Sequence, residues 1–233
     1  MERVYTKLKK ENGKLDKKLF VKKFKSEIIE WVFCFVIAYV LYLFLNYFIG
    51  TVSGVKQISM KPTANDGEKV LIQRTVFNKK ALKHGDIITF VAPSLTINKM
   101  AIENGKILEE NEAIANYDEH LGIESFTFNF MGIGKKSYIK RIIGLAGDHI
   151  VVKEDGKVYR NDEMISEPYL KDGTTSRNGA YIDVIVPEAT IFAMGDNRLQ
   201  SMDSRSFGCI PISEIDGYVL SRIWPLNKIG NLK

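Results

Sequence analysis

Three short strings in this 233-residue sequence hold residue types that can do chemistry. They are Ile58-Ser-Met-Lys-Pro-Thr63, Tyr138-Ile-Lys-Arg-Ile-Ile-Gly144 and Gly195-Asp-Asn-Arg-Leu-Gln-Ser-Met-Asp-Ser-Arg-Ser-Phe-Gly208. Ser59 in the first offers a hydroxyl, which becomes a nucleophile once a base takes its proton. Lys140 in the second offers an amine, which becomes a base once burial has disfavoured its ammonium form. Each also has a plain structural reading, as a strand-end serine and as a lysine on an amphipathic strand. The third string packs Asp196, Asn197, Arg198, Asp203 and Arg205 into ten residues. That is more polar pairing than a loop requires, and a buried ion-pair network holding the loop rigid also accounts for it.

Other chemistries find little support. The histidines, His84, His120 and His149, are scattered, and neither Cys34 nor Cys209 stands at C-x-x-C spacing, so no metal site and no cofactor is expected. His84 and His149 each adjoin a Gly-Asp turn and read as solvated turn residues. Composition is that of an ordinary globular chain, 45% hydrophobic and 26% charged. The net charge of +5 conceals an asymmetry. Residues 1–26 hold ten Lys or Arg against three acids, +7, and the remainder holds 23 against 25, −2. A nucleic-acid-binding body would carry its basic residues on the folded surface, so no nucleic-acid partner is expected.

The neighbouring apolar segment gives the basic tail its reason. Trp31 to Ile49 is nineteen residues without a charge, roughly 28 Å as a helix against a hydrocarbon core of about 30 Å. The sequence therefore predicts a basic tail over 1–26 and a transmembrane helix over 27–50, with lipid as a partner. The Lys-rich flank places the tail in the cytoplasm and residues 51–233 outside, by the positive-inside rule.

The outer part reads as mainly β. Short alternating runs predict strands at Val55–Met60, Lys69–Gln73, Asp86–Val91, Tyr138–Ile143, His149–Glu154, Lys157–Arg160, Tyr181–Val186, Ile191–Met194 and Tyr218–Ile223. Asp155-Gly156 predicts a hairpin with a type I′ turn. Gly105–Asn116 reads as a short helix. An antiparallel β body is expected, interrupted by insertions at about 94–136 and 149–190, the second large enough for a small subdomain.

Taken with their order and spacing, the three strings resemble motifs of the bacterial type I signal peptidases, membrane-anchored serine proteases that use a Ser–Lys dyad. Ser59-Met60-Lys61-Pro62-Thr63 matches the nucleophile motif and Gly85-Asp86-Ile-Ile-Thr-Phe90 the Gly-Asp strand. Lys140-Arg141-Ile-Ile-Gly144 matches the base motif, and Gly195–Arg198 with Ser201–Arg205 the last. The resemblance runs from about Val52 to Pro225, and the single anchor is similar to the compact form of Gram-positive bacteria. It implies the family's β catalytic fold, Ser59 as nucleophile, Lys140 as base, and Ser201 as a hydrogen-bond partner orienting the lysine nitrogen. It also implies that Arg141, Asp196, Arg198, Asp203 and Arg205 form a structural network. Met60, Tyr138 and Ile139 match walls of two small apolar pockets that take Ala-like side chains from a substrate bound as an added β-strand.

Physical chemistry agrees with that assignment. No histidine lies in any of the strings, and Lys140 is flanked by Tyr138, Ile139, Ile142 and Ile143, whose apolar surroundings disfavour an ammonium. Arg141 points to the opposite face of a strand and is free to meet Asp196. Gln57, two residues before the nucleophile, stands where relatives carry Ser, Thr or Gly. On strand alternation it reaches the site, where it either offers an amide NH₂ as second oxyanion donor beside the Ser59 N–H or is a solvated strand residue while a nearby backbone N–H does that work. The resemblance implies removal of signal peptides from exported preproteins. Its alternative is a pilus-dedicated assembly factor, partnered by pilin or pilus assembly proteins, with little or no proteolysis. A self-cleaving Ser–Lys repressor would need a soluble DNA-binding domain in place of the apolar helix.

Overall fold

The structure is a computed structural model that describes residues 17–48, 50–56, 58–74, 82–94, 113–129, 134–153, 155–170 and 182–232. It has two compact units, Met1–Leu45 and Asn46–Lys233. Helix α1, Lys17–Phe48, contains a stretch, Val21–Leu45, long and apolar enough to cross a membrane. All side chains of that stretch are exposed except the half-buried Leu43. The helix begins well before Trp31, because Lys17–Lys25 contains neither Gly nor Pro and lysine is a good helix former.

The second unit is built on a seven-stranded antiparallel sheet. Its strands are β1 (Gly50–Gly54), β2 (Lys69–Arg74), β3 (Ile87–Val91), β4 (Ser137–Leu145), β9 (Thr190–Met194), β10 (Ile210–Pro211) and β11 (Ile215–Trp224), in the order β1-β2-β11-β3-β4-β9-β10. Between β3 and β4 lies helix α2, Gly122–Asn129. Between β4 and β9, four strands form a second sheet in the order β7-β6-β5-β8: β5 (His149–Val152), β6 (Val158–Arg160), β7 (Glu163–Met164) and β8 (Ile182–Ile185). A single turn of helix, α3 (Ser204–Phe207), precedes β10. Residues of β1 and of β4 line one cleft although three strands separate them, so the large sheet curls.

Burial follows the β pattern. Ile88, Phe90, Ile142, Ile191, Ala193 and Ile210 pack into one core, while Ile143, Ile150, Val184, Phe192 and Met194 form another with the small sheet. Adjacent residues of β4 thus serve different cores, as strand alternation requires. Its central residues, Lys140 to Gly144, are all buried.

Three local expectations are corrected. Val55–Met60 is not a strand: the pairing strand is β1, and the chain turns at 58–64 through Lys61 N–H to Ile58 O (3.1 Å) and Ala64 N–H to Met60 O (2.8 Å). Alternation around Val55 and Ile58 was a poor guide because a turn ending in Pro62 interrupts it, whereas β1, rich in Gly and Ser, is held by its pairing with β2. The 153–157 hairpin turns on Gly156 N–H to Lys153 O (2.8 Å) with positive φ at Gly156 but not at Asp155. Gly156 is therefore the fourth residue of the turn and Asp155 its second central one, and without positive φ at Asp155 the turn is not type I′. Residues 113–116 are extended rather than helical, with Ile114 bridged to Cys209, Cys209 N–H on Ala113 O (2.6 Å) and Ala115 N–H on Cys209 O (2.8 Å). The backbone of 209 claims the polar groups a helix would use, and residues 105–112 lie outside the described ones.

Candidate active site

Ser59 and Lys140, 81 residues apart in sequence, meet in the structure. Lys140 Nζ lies 2.9 Å from Ser59 Oγ and donates a second hydrogen bond, 3.1 Å long, to Ile139 O. Lys140 is 1% exposed and Ser59 3%. No carboxylate forms a salt bridge with this lysine among the described residues. Burial in apolar surroundings pushes its pKa down to about 8, with Arg205 acting in the same direction and Asp203 and Asp196 opposing. The Tyr138 ring centroid is 5.3 Å from Nζ.

The turn that presents Ser59 is clamped by the third string. Asn197 N–H donates to Ser59 O (2.9 Å) and Asn197 Nδ2 to Ile58 O (3.1 Å). Thr63 Oγ1 donates to Asp196 Oδ2 at 2.5 Å. This approach requires glycine at 195, where a Cβ would fall 2.5 Å from Ser59 O and closer still to Ser201 Oγ. The Ser59 N–H makes no backbone hydrogen bond among the described residues, which leaves it available to an incoming oxygen.

Around the pair stands a fully connected ionic frame. Arg141 grips Asp196 with Nε (2.9 Å) and Nη2 (2.7 Å) and reaches Gly85 O with Nη1 (2.9 Å). Arg205 holds Asp203 in the same two-pronged way, at 2.8 Å from each oxygen, and also bonds Arg198 O. Asp203 further accepts from Gly195 N–H at 3.0 Å. Burial alone would raise its pKa, but Arg205 and these donors hold it below the usual carboxylate range. Arg198 pairs with Glu167 and donates to Gly195 O (3.0 Å).

The predicted residues are brought together unequally. Ser59, Lys140, Arg141, Asp196, Arg198, Asp203 and Arg205 form one connected cluster. Ser201 is nearby, but the hydrogen bond to Lys140 implied by the resemblance is absent: its buried Oγ makes none of good geometry, and it lies close enough to Asp203 to favour that carboxylate's charge. Met60 is fully buried in a core with Val55, Ala64, Val70 and Ile72, and does not face open space. Tyr138 and Ile139 do line a cleft, shared with Thr51–Gly54 of β1 and with Val55. Gln57 lies outside the described residues, and the strand alternation on which its placement rested does not hold, because Ile58 and Ser59 are in a bend and a turn.

Two members of the frame were missed in the sequence. Glu167 accepts from Arg198, and Tyr169 donates to Glu167 Oε1 (2.7 Å) while its ring lies 4.0 Å from the Arg141 guanidinium. Both come from the insertion carrying the small sheet. An acid and an aromatic two residues apart, in a segment with an excess of arginine elsewhere to satisfy, were the available signal. Among the described residues no group of three His, Cys, Asp or Glu side chains is placed to hold a metal.

A family model described as signal peptidase, peptidase S26 matches residues 28–224. Signal peptidase IB of Staphylococcus aureus (strain COL) is 28% identical over 219 residues, spanning 88% of this chain and 93% of that protein. Signal peptidase I of Bacillus licheniformis is 30% identical over 213 residues with the same coverage. The crystal structure of a signal peptidase I from Enterococcus faecalis V583 superposes with a TM-score of 0.37 at 21% identity, covering 60% of this chain and 97% of that one.

Proposed function

This chain belongs to the signal peptidase family, peptidase S26, and from that premise we propose that it removes N-terminal signal peptides from exported preproteins with Ser59 and Lys140 as its catalytic pair. The observation that carries the reading is a buried lysine, 2.9 Å from a buried serine hydroxyl and without a carboxylate to keep it charged. With Lys140 neutral, Ser59 O–H donates to Nζ. As Oγ bonds to the scissile carbonyl carbon, the proton passes to Nζ and the carbonyl oxygen becomes an oxyanion. The Ser59 N–H is one donor for that oxyanion, and the Gln57 amide is the candidate for a second.

Collapse of the tetrahedral species breaks the C–N bond, and the lysine ammonium returns its proton to the departing amine of the mature protein. A water then attacks the seryl ester, giving its proton to Lys140, and the signal peptide leaves with a carboxylate as Oγ is reprotonated. Frame residues Asp196 and Asn197 position the nucleophile turn, and Asp203 with Arg205 sets the charge around Lys140. A substrate strand fits along Ser137–Lys140, whose edge opposite β3 has no strand partner among the described residues because β9 joins only at Arg141. Tyr138 and Ile139 would flank its small side chains.

The anchor suits such a substrate. We assign residues 1–26 to the cytoplasm, 27–50 to the membrane and 51–233 to the outer side, so that enzyme and signal peptide meet at one interface. Protease added to cells stripped of their wall is expected to digest the C-terminal part, and its protection would invert the topology. A pilin-binding assembly role without cleavage is not favoured, since it gives no use to a discharged lysine beside a serine. The full chain in detergent is expected to cut a preprotein after an Ala-x-Ala site, read by sequencing the new N-terminus. Cleavage that persists in Ser59→Ala would refute the assignment.

A further inference from the structure

The cleft between β1 and β4 has a chemically divided lining. Val55, Val70, Ile72 and Ile139 supply its apolar part, while Arg74, Lys135, Ser137 and Asp216 close one end, in a volume of about 230 Å³. That is far more room than an alanine methyl fills. One carboxylate serves two cations there: Asp216 is 2.5 Å from Lys135 Nζ and 3.8 Å from Arg74 Nη1, and it also accepts from Ser137 Oγ at 2.9 Å. Arg74 Nε is buried and makes no hydrogen bond among the described residues. A buried donor without a partner costs free energy that an acceptor would restore.

Register places this end relative to the chemistry. Lys140 is level with Ile88, Tyr218 and Gln73, and Ile139 with Thr89, Gly217 and Arg74. Tyr138 is level with Phe90 and Ile215, so Asp216 falls between those last two rows. In a substrate strand laid along Ser137–Lys140, the first and third residues before the scissile bond face the same way, about 7 Å apart. With the first at Lys140, the third comes level with Tyr138, beside Arg74, Lys135 and Asp216.

We propose that this subsite recognises a carboxylate, so that the enzyme takes Asp or Glu as the third residue before the scissile bond as well as small apolar residues. Arg74 Nε and the Lys135 ammonium are the recognition groups, and the inference rests on the proteolytic reading above. The acidic side chain lays its methylenes on Val70 and Ile139 and gives its oxygens to the donor left open on Arg74. Asp216 competes for the same cations.

The experiment compares three peptides with the full-length enzyme in detergent, carrying Ala, Glu or Gln as third residue before an otherwise identical Ala site. Glu and Gln are isosteric, so their kcat/KM ratio isolates the charge, and a ratio taken within one enzyme cancels any change in total activity. The wild type is expected to prefer Glu over Gln about fivefold or more. Arg74→Gln and Lys135→Gln bring the ratio toward one, and Asp216→Asn raises it. Should Arg74→Gln fail to fold, the loop substitution Lys135→Gln decides. Cleavage of the Ala peptide with a wild-type Glu/Gln ratio of one or less overturns the subsite and leaves the proteolytic reading intact. No cleavage of any peptide overturns both.

Discussion

Lys140 and Arg141 are consecutive residues of one strand, both buried, and they are handled in opposite ways. Arg141 meets Asp196 through two hydrogen bonds and a backbone carbonyl through a third. Lys140 meets a hydroxyl and a carbonyl and no carboxylate. Alternation along β4 separates their environments within a single peptide unit. A buried cation is tolerable when it is paired or when it can lose its proton. Arginine cannot lose its proton in a protein, whereas lysine shifts readily. The fold thus has a paired arginine in the frame, where charge persists, and an unpaired lysine that can discharge beside Ser59, the proposed nucleophile.

The comparison breaks most visibly if Ser59 and Lys140 are not one unit. Ser59→Ala and Lys140→Ala are each expected to lower kcat/KM by a factor on the order of 10⁴ or more, with the double variant no slower than either single one. Losses that multiply would show independent roles. Asp196 of the frame should answer first through stability. Asp196→Ala leaves Arg141 buried without its counterion and is expected to cost about 3–5 kcal/mol, read as a lower thermal unfolding midpoint. A midpoint unchanged from wild type would remove the frame from the account of stability.

The two kinds of site were not equally legible in the sequence. Ser59, Lys140 and the Gly195–Arg205 string stand in contiguous motifs, where neighbouring residues carry the information. Most strands of the body were also readable, because Ile142, Ile143, Ile191 and Val184 alternate in accord with their cores. What escaped is whatever depends on distant backbone. β1 was missed because Gly50, Ser53 and Gly54 have little strand propensity of their own and are held by pairing with β2. Glu167 and Tyr169 reach the frame only because the small sheet folds back, and Ser201 lies against Gly195. The turn at Ser59 was hidden for the same reason, since it is fastened by residues 196 and 197.

A third test reverses the usual direction of a mutation. Lys140 ordinarily titrates near 10.5 and here near 8, so below pH 8 folding must bury a charged ammonium at a cost of about 3 kcal/mol, at roughly 1.36 kcal/mol per unit. Between pH 8 and 10.5 the unfolded chain binds the proton and the folded one does not, and stability rises with pH. Above that window both are neutral and the cost is gone. Lys140→Met should therefore be inactive yet more stable than wild type at pH 6–7, with the advantage fading by pH 10.5. Equal stability at pH 6 and at pH 10.5 relative to wild type would mean that the ammonium is comfortably accommodated.

The smallest effect sharpens the comparison most, because it joins the two regions. Only the neutral amine can accept the serine proton, so kcat/KM is expected to fall about tenfold per pH unit below the Lys140 pKa and to level off above it, with its limb near pH 8. A flat profile from pH 6 to 10 would exclude lysine as the base. The frame contributes to where that limb falls: Asp203 raises the lysine pKa and Arg205 lowers it. Asp203 is itself buried and held charged mainly by Arg205. Replacing Arg205 by Gln removes the positive neighbour while the Gly195 N–H still favours the carboxylate. The limb is then expected to move to higher pH, leaving the plateau rate of correctly folded enzyme nearer to wild type than its rate at pH 7. A limb that stays in place would mean that desolvation alone discharges Lys140, and that the frame acts on the nucleophile turn but not on the base.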